Sequence, residues 1–157
     1  MRYYLLMLLL AATAITAAAQ QKVHLNPDGV NKPKTYSQVV KVRGGEWVIT
    51  SGIVADDAQG VIVGKGDLRA QTRQCFENLK IVLAAAGATF NDVVKMNYYV
   101  VHYRPEQVAL IREVRATYLP TENPPASTLA GVQALFHPDV LIEIEAVAVV
   151  KKAKKKS

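Results

Sequence analysis

The chain has 157 residues, half of them hydrophobic, so it is long enough to bury one sizeable core without a second domain. Its net charge of +6 belongs to the two ends, because all 13 acidic residues lie between residues 20 and 150, where 13 of the 19 basic residues balance them. A single cysteine excludes an internal disulfide, and the balanced body argues against a nucleic-acid partner.

The first nineteen residues have the composition of a secretory signal peptide. Arg2 precedes an apolar run from residue 3 to about residue 15, and small residues lead up to Ala19. The run is too short to cross about 30 Å of hydrocarbon, so we predict cleavage near Ala19, a periplasmic or secreted protein, and no transmembrane segment. Residues 20–150 then form one domain. The lysine-rich residues 151–157 form a solvated tail or one that adheres to an anionic surface.

The first part of the mature chain alternates between loops and short strands. Residues 20–34 are polar and are expected to run extended over the surface. Residues 36–42 and 46–51 have the composition of strands, and Gly44 and Gly45 between them predict a hairpin. Residues 52–66 are rich in glycine and predict a loop, and loops on rigid scaffolds often border sites.

A long helix follows this loop. Asp67 is a suitable N-cap, and the helix is expected to reach Ala86 and to end at Gly87. An apolar stripe recurs at steps of three and four residues, through Leu68, Thr72, Cys75, Leu79, Val82 and Ala86. Cys75 on this stripe is interpreted as a small buried hydrophobic residue, because no nearby cation in the sequence would lower its pKa.

A strand over residues 93–102 leads to a second helix, which Pro105 opens and which runs to about Leu119. Its apolar stripe consists of Ile111, Val114 and Tyr118. Arg115 borders that stripe, either as an ordinary surface arginine or as one that leans into an interface.

Two strands, over residues 126–132 and 141–150, end the domain. In the last of them the sequence alternates strictly, so that Glu143 and Glu145 share one face with Val147 and Val149. A face that is polar at one end and apolar at the other is typical of the wall of a cleft or of a subunit interface.

This order of elements predicts an α+β domain with two helices on one face of a mixed sheet. The uncovered face should then carry apolar residues that need a partner. No cofactor or metal is predicted, since His24, His102 and His137 share no ligand spacing. A phosphate-binding glycine loop and a GxSxG nucleophile motif are also missing from the sequence.

Several segments together resemble the Rid family of reactive intermediate deaminases, also called the YjgF type. They are PPAST, IEIEAVAV, KPKTYSQ, ITSG, the helix QTRQCFENLKIVLAAAGAT and DVVKMNYYV. The resemblance implies a chorismate-mutase-like fold and a homotrimer with a barrel-like centre. It also implies that small molecules bind in clefts between neighbouring subunits.

The same resemblance assigns roles to residues. Glu143 corresponds to the glutamate that positions the water attacking an imine carbon. Tyr36, Ser51 and Thr128 match positions that bind the substrate. Ser127 stands where the family has the arginine that holds the substrate carboxylate.

This departure at Ser127 leaves two ways to bind a ligand. A serine offers one neutral hydroxyl in place of a permanently charged, doubly hydrogen-bonding guanidinium. Either Arg115 supplies the cation from the second helix, or the ligand has no carboxylate and Ser127, Thr128 and Tyr36 bind a neutral carbonyl or amide. Glu143 is interpreted as an acid–base group of this cleft or as a solvated strand residue.

The sequence therefore favours a homotrimeric hydrolase of a small imine, enamine or related carbonyl compound. Its alternative is a trimer that binds a metabolite or a protein partner without catalysis. A chaperone-like surface protein is a third interpretation, and only the lysine tail suggests it.

Overall fold

The computed structural model describes residues 20–152, and both the predicted signal peptide and residues 153–157 of the tail lie outside the described residues. These described residues form six strands, two α-helices and a short 3-10 helix. In chain order they are β1 (Gln21–Leu25), β2 (Val39–Arg43), β3 (Glu46–Ile49), α1 (Leu68–Ala85), the 3-10 helix (Phe90–Asp92), β4 (Val93–Val101), α2 (Gln107–Arg115), β5 (Ala126–Val132) and β6 (Ile142–Val150).

The main sheet has the strand order β3-β6-β4-β5. Strand β5 runs parallel to β4, and the other pairs are antiparallel, so the sheet is mixed. Every second side chain along the central parts of β4 and β6 faces the helices and packs with them in one buried cluster. The predicted α+β fold with two helices on one face of a mixed sheet is confirmed.

Helix α1 begins and ends where the sequence predicts. The Asp67 carboxylate accepts hydrogen bonds from the backbone nitrogens of Arg69 and Ala70, at 2.9 and 3.0 Å. Gly87 adopts a φ of 70°, the left-handed conformation that favours glycine after a helix. Cys75 is fully buried, as predicted, and burial raises the pKa of its thiol.

The buried stripe of α1 differs from the prediction at its C-terminal end. Val82 is 39% exposed and Ala86 is also exposed, whereas Phe76 and Leu83, outside the predicted stripe, are buried. Phe76 stacks on Tyr118, with ring centroids 4.8 Å apart, so that α1 packs against the segment that follows α2. Gln71 is also buried, and its side chain bonds the carbonyl of Asp139 and the backbone nitrogen of Leu141.

The predicted hairpin is wrong. Strand β2 pairs with β1, and β3 pairs with β6, so the two strands flanking Gly44 and Gly45 belong to different sheets. Residues 21–25, expected as an extended surface segment, form the partner strand β1. Two glycines with positive φ mark a sharp turn, but the pairing on either side is set by segments distant in the sequence.

The face of the sheet away from the helices, which we call the open face, carries exposed apolar side chains. Trp47 and Ile49 of β3 are 61% and 73% exposed, and the register sets them beside Val149 and Val147 of β6. Farther along the same face lie Glu143 and Glu145. Apolar residues on an uncovered sheet face are what the sequence led us to expect.

Candidate functional site

Three of the predicted site residues meet in one cavity. Tyr36, Arg115 and Ser127 line a space of about 150 Å³ between β5 and α2, which we call the β5–α2 cavity. Ser127 points to the helix side of the sheet, because its neighbour in the register is the buried Met96. The arginine that the sequence puts on the border of α2 therefore lies in the same cavity as the serine.

Arg115 is held by the segment that precedes Tyr36. One of its guanidinium nitrogens donates a hydrogen bond to the carbonyl oxygen of Thr35. It also lies close to the phenol of Tyr98: burial raises the pKa of that phenol, and the charge of Arg115 acts in the opposite direction. A guanidinium with five donors has further donors available after one such bond.

A buried polar contact joins the two segments that carry Tyr36 and Ser127. Ser37 is buried, and its hydroxyl donates a 2.6 Å hydrogen bond to the carbonyl of Pro124. Its backbone nitrogen donates to the carbonyl of Pro125, at 3.2 Å. The Nδ1 of His24 in β1 lies 3.1 Å from the same carbonyl oxygen of Pro124. Strand β1, the segment of Tyr36 and the segment of Ser127 therefore meet at this point.

Glu143 lies on the open face, against the backbone of Gly52. A methyl group built on Gly52 would be 1.6 Å from its Oε1, so the carboxylate occupies the space that a side chain would need. Burial raises the pKa of Glu143, and the negative charge of Glu145 raises it further. No side chain within residues 20–152 forms an ion pair with it.

Among residues 20–152, side chains donate hydrogen bonds to Glu145 and none donates to Glu143. Asn97 donates to Oε2 of Glu145 at 3.1 Å, and the hydroxyl of Tyr99 donates to the same oxygen at 3.0 Å. Two adjacent carboxylates on one strand thus have different surroundings. Glu143 is partly desolvated and its pKa is raised, and a raised pKa makes a carboxylate a stronger proton acceptor.

The remaining two predicted residues lie apart from the cavity. Ser51 is exposed and borders a depression of about 470 Å³ together with Gly52, Asp56, Asn78 and Ile81. Thr128 faces the side opposite to Ser127 and accepts a hydrogen bond from the ammonium of Lys95.

One chain therefore divides the predicted site between the two faces of its sheet. Tyr36, Arg115 and Ser127 lie on the helix side, and Glu143 and Thr128 lie on the open face. A small molecule in the β5–α2 cavity does not reach the Glu143 of the same chain through the sheet.

The comparisons with known proteins agree with this fold. The family model described as endoribonuclease L-PSP matches residues 29–150. A RutC family protein of Pyrococcus horikoshii is 40% identical over 121 residues, covering 75% of this chain and 91% of that protein. A crystal structure of a Rid-family protein from Yersinia pestis, titled as of unknown function, is 40% identical with a TM-score of 0.75. It covers 82% of this chain and 98% of that one.

The chain belongs to the Rid family. The resemblance that the sequence suggested is confirmed. The 3-aminoacrylate deaminase RutC of Acinetobacter baylyi is a further relative, 32% identical over 78% of this chain and 93% of that protein. The structure of RidA from an Antarctic Psychrobacter is 35% identical, with a TM-score of 0.60, and covers 74% of this chain and 89% of that one.

Two absences hold for the described part of this Rid-family chain. Residues 20–152 contain no group of three or more His, Cys, Asp or Glu side chains that could hold a metal ion. Within the same range neither helix is long and apolar enough to span a bilayer.

Sequence reasoning missed the parts of the site that depend on contacts between distant segments. His24 and Ser37 join the segment of Tyr36 to the segment of Ser127, yet neither residue stands out in the sequence. Gly52 falls both in the predicted loop and in the ITSG segment, but the sequence does not show that its bare backbone accommodates Glu143. The ITSG segment was the available signal, since its glycine directly follows Ser51.

Proposed function

We propose that this Rid-family protein is a secreted homotrimer that hydrolyses a small imine or enamine in a cleft between subunits. In the reaction an enamine first tautomerises to its imine, and water then adds to the imine carbon. Glu143 accepts the proton of that water. Return of that proton to the imine nitrogen gives a carbinolamine. A second transfer, of the carbinolamine hydroxyl proton to the nitrogen, accompanies breakage of the carbon–nitrogen bond and gives ammonia and a carbonyl compound.

The observation that carries this proposal is the position of Glu143. Its carboxylate is partly desolvated against Gly52, lacks a cationic partner within residues 20–152, and has a raised pKa. A strand glutamate that served only for solubility would extend into water and keep its ordinary pKa. A raised pKa brings a carboxylate closer to the pH at which general bases are most effective.

The division of the site between two faces supports an assembly. Because Arg115 and Glu143 of one chain lie on opposite sides of the sheet, a substrate that touches both needs one residue from each of two subunits. The exposed Trp47 and Ile49 on the open face support the same conclusion, since adjacent large apolar side chains usually mark an interface.

Arg115 is the group we assign to the substrate carboxylate in place of the family arginine. It lies in the β5–α2 cavity with Ser127 and Tyr36, so an anion there meets a guanidinium and two hydroxyls. Losing one partner of such a charge pair costs on the order of 2–5 kcal/mol, which corresponds to roughly thirtyfold to several thousandfold in affinity.

The test is ammonia release from freshly generated 2-aminoacrylate and 3-aminoacrylate by the purified protein. We expect acceleration over buffer for at least one of them. We also expect Glu143→Gln to lose about 10²–10⁴ of the rate, the usual contribution of a general base. Glu122→Gln, at an exposed position between α2 and β5, is the matched control and should keep full activity. No acceleration with any imine, or full activity in Glu143→Gln, would refute the proposed reaction.

A trimer that binds a metabolite without catalysis is the second candidate. The observation that favours it is the serine at position 127, together with the bond that already links Arg115 to the Thr35 carbonyl. Tight binding of an unreactive keto acid in the cleft, with no turnover of any imine, would decide for this function.

Export rests on the first nineteen residues. We expect the protein recovered from the periplasm or medium to begin at about Gln20, which N-terminal sequencing would reveal. Recovery of the full-length chain from the cytoplasm alone would contradict export.

A further inference from the structure

A second, smaller cavity adjoins the β5–α2 cavity at the C-terminal end of α2. It has a volume of about 90 Å³ and is lined by Lys34, Arg112, Arg115 and residues of the segment after the helix. Thr35, Arg112 and Arg115 line both cavities, so the two spaces meet at the two arginines.

Three cations line this pair of cavities, and no acidic side chain does. None of the ion pairs formed within residues 20–152 involves Lys34, Arg112 or Arg115. Glu113, the acidic residue between the two arginines, pairs with Arg69 of α1 at 2.7 Å. Within the described part of the chain, these three cations therefore have no carboxylate partner.

The convergence of these cations is more than an effect of the helix end. A helix C-terminus attracts positive side chains in its own last turn, and Arg112 and Arg115 both lie there. Lys34 comes from the loop before β2 and yet lines the same space. Like charges held close together repel one another, and an anion bound between them removes that repulsion.

We infer that the preferred ligand of this site is a small dicarboxylate. Its first carboxylate binds Arg115 beside Ser127, and its second binds Arg112 and Lys34 in the adjoining cavity. Arg112 and Arg115 are three residues apart on one helix, so their Cβ atoms are separated by about 5–6 Å, a span comparable with that between the two ends of a short dicarboxylic acid. Two guanidinium groups suit two planar carboxylates, because each can form a pair of parallel hydrogen bonds.

This inference rests on the proposed function, because it assigns the first carboxylate to the arginine of that mechanism. It narrows the substrate to an imine or enamine with a second acidic group on the side away from the reacting carbon. The cavity that receives this group is small, so a short chain fits and a long one does not.

The test compares 2-oxoglutarate with 2-oxopentanoate, which differ only in the distal carboxylate. Both are stable keto acids, so their dissociation constants can be measured by calorimetry on the full-length protein without turnover. We expect 2-oxoglutarate to bind at least tenfold more tightly. Arg112→Gln should raise the dissociation constant of 2-oxoglutarate at least tenfold and that of 2-oxopentanoate less than threefold. Arg104→Gln is the matched control, since Arg104 is exposed and pairs with Glu106 in the loop before α2, and it should change neither constant.

Several results would overturn the inference. They are equal affinity for the two acids, no measurable binding of either acid, and an equal loss of affinity for both acids in Arg112→Gln. Binding of inorganic phosphate as tight as that of 2-oxoglutarate would also overturn it, because the site would then be a general anion site. If the preference appears and no imine is hydrolysed, the proposed reaction fails while the dicarboxylate site stands. If imines are hydrolysed and there is no preference, the reverse holds.

Discussion

The contact between Gly52 and Glu143 allows the proposed base to be moved without being removed. In Gly52→Ala the new methyl group would lie 1.6 Å from Oε1 and 2.5 Å from Cδ of Glu143. Ordinary contact distances are about 3.5–4.0 Å, so the carboxylate must move by about 2 Å. A misplacement of about 1 Å already costs on the order of 100-fold in rate, so we expect kcat to fall by at least about 100-fold, or about 2.7 kcal/mol.

Stability should change little in this variant. The displaced atoms belong to a flexible side chain, and Gly52 lies outside the left-handed region that favours glycine. We therefore expect the free energy of unfolding to change by less than about 1 kcal/mol, measured by urea denaturation beside the steady-state kinetics.

A double-mutant cycle shows whether the effect passes through Glu143. In a Glu143→Ala background the added methyl group has no carboxylate to displace, so Gly52→Ala should change the residual rate by less than about twofold. Full activity in Gly52→Ala would show that the carboxylate position is not used in catalysis. A loss of the same size in both backgrounds would show that the substitution acts elsewhere.

Four further predictions concern the pH dependence of activity and of stability, the open face and the helix cap. Burial and the charge of Glu145 raise the pKa of Glu143 above 4.5, so kcat/KM should fall as the pH is lowered, with a midpoint above pH 4.5. Glu145→Gln removes one of these causes and should lower that midpoint. The same shift makes the wild-type protein lose stability as pH rises from 4.5 through the folded pKa, and urea titrations of Glu143→Gln should lack this loss. Ile49→Lys should dissociate the proposed trimer in sedimentation velocity, whereas Ala109→Lys on the exposed side of α2 should leave it intact. A monomeric wild-type protein would contradict the proposed assembly. Asp67→Ala should cost about 0.5–2 kcal/mol and lower Tm by about 2–8 °C in calorimetry, and an unchanged Tm would show that the cap is dispensable.

Local patterns in the sequence predicted α1 and β6 well, whereas α2 ends at Arg115 and not at about Leu119. The cap at Asp67, the glycine at position 87 and the alternation of β6 each depend on neighbours within a few residues, and the structure has all three. The boundary of the buried stripe on α1 was less accurate. A period of 3.6 residues leaves side chains near the edge of a stripe undecided, and packing against Tyr118 selects Phe76.

Pairing between distant segments could not be predicted in the same way. Two glycines at 44 and 45 indicate a turn, but the partner of β3 is β6, about 100 residues later in the chain. The contact between Gly52 and Glu143 is also non-local. The orientation of Arg115 depends on the carbonyl of Thr35, which the sequence of α2 does not contain. Composition within a helix or strand carries no information on such contacts.

The division of the site between the two faces of each sheet implies that two inactive variants can complement one another. If every cleft takes Arg115 from one protomer and Glu143 from the next, then Arg115→Met and Glu143→Gln each inactivate all clefts of their own homotrimers. After the two variants are unfolded, mixed in equal amounts and refolded together, random assembly would rebuild about one quarter of the clefts with both residues intact. Hybrid trimers that recover ammonia release would show that catalysis is a property shared between chains.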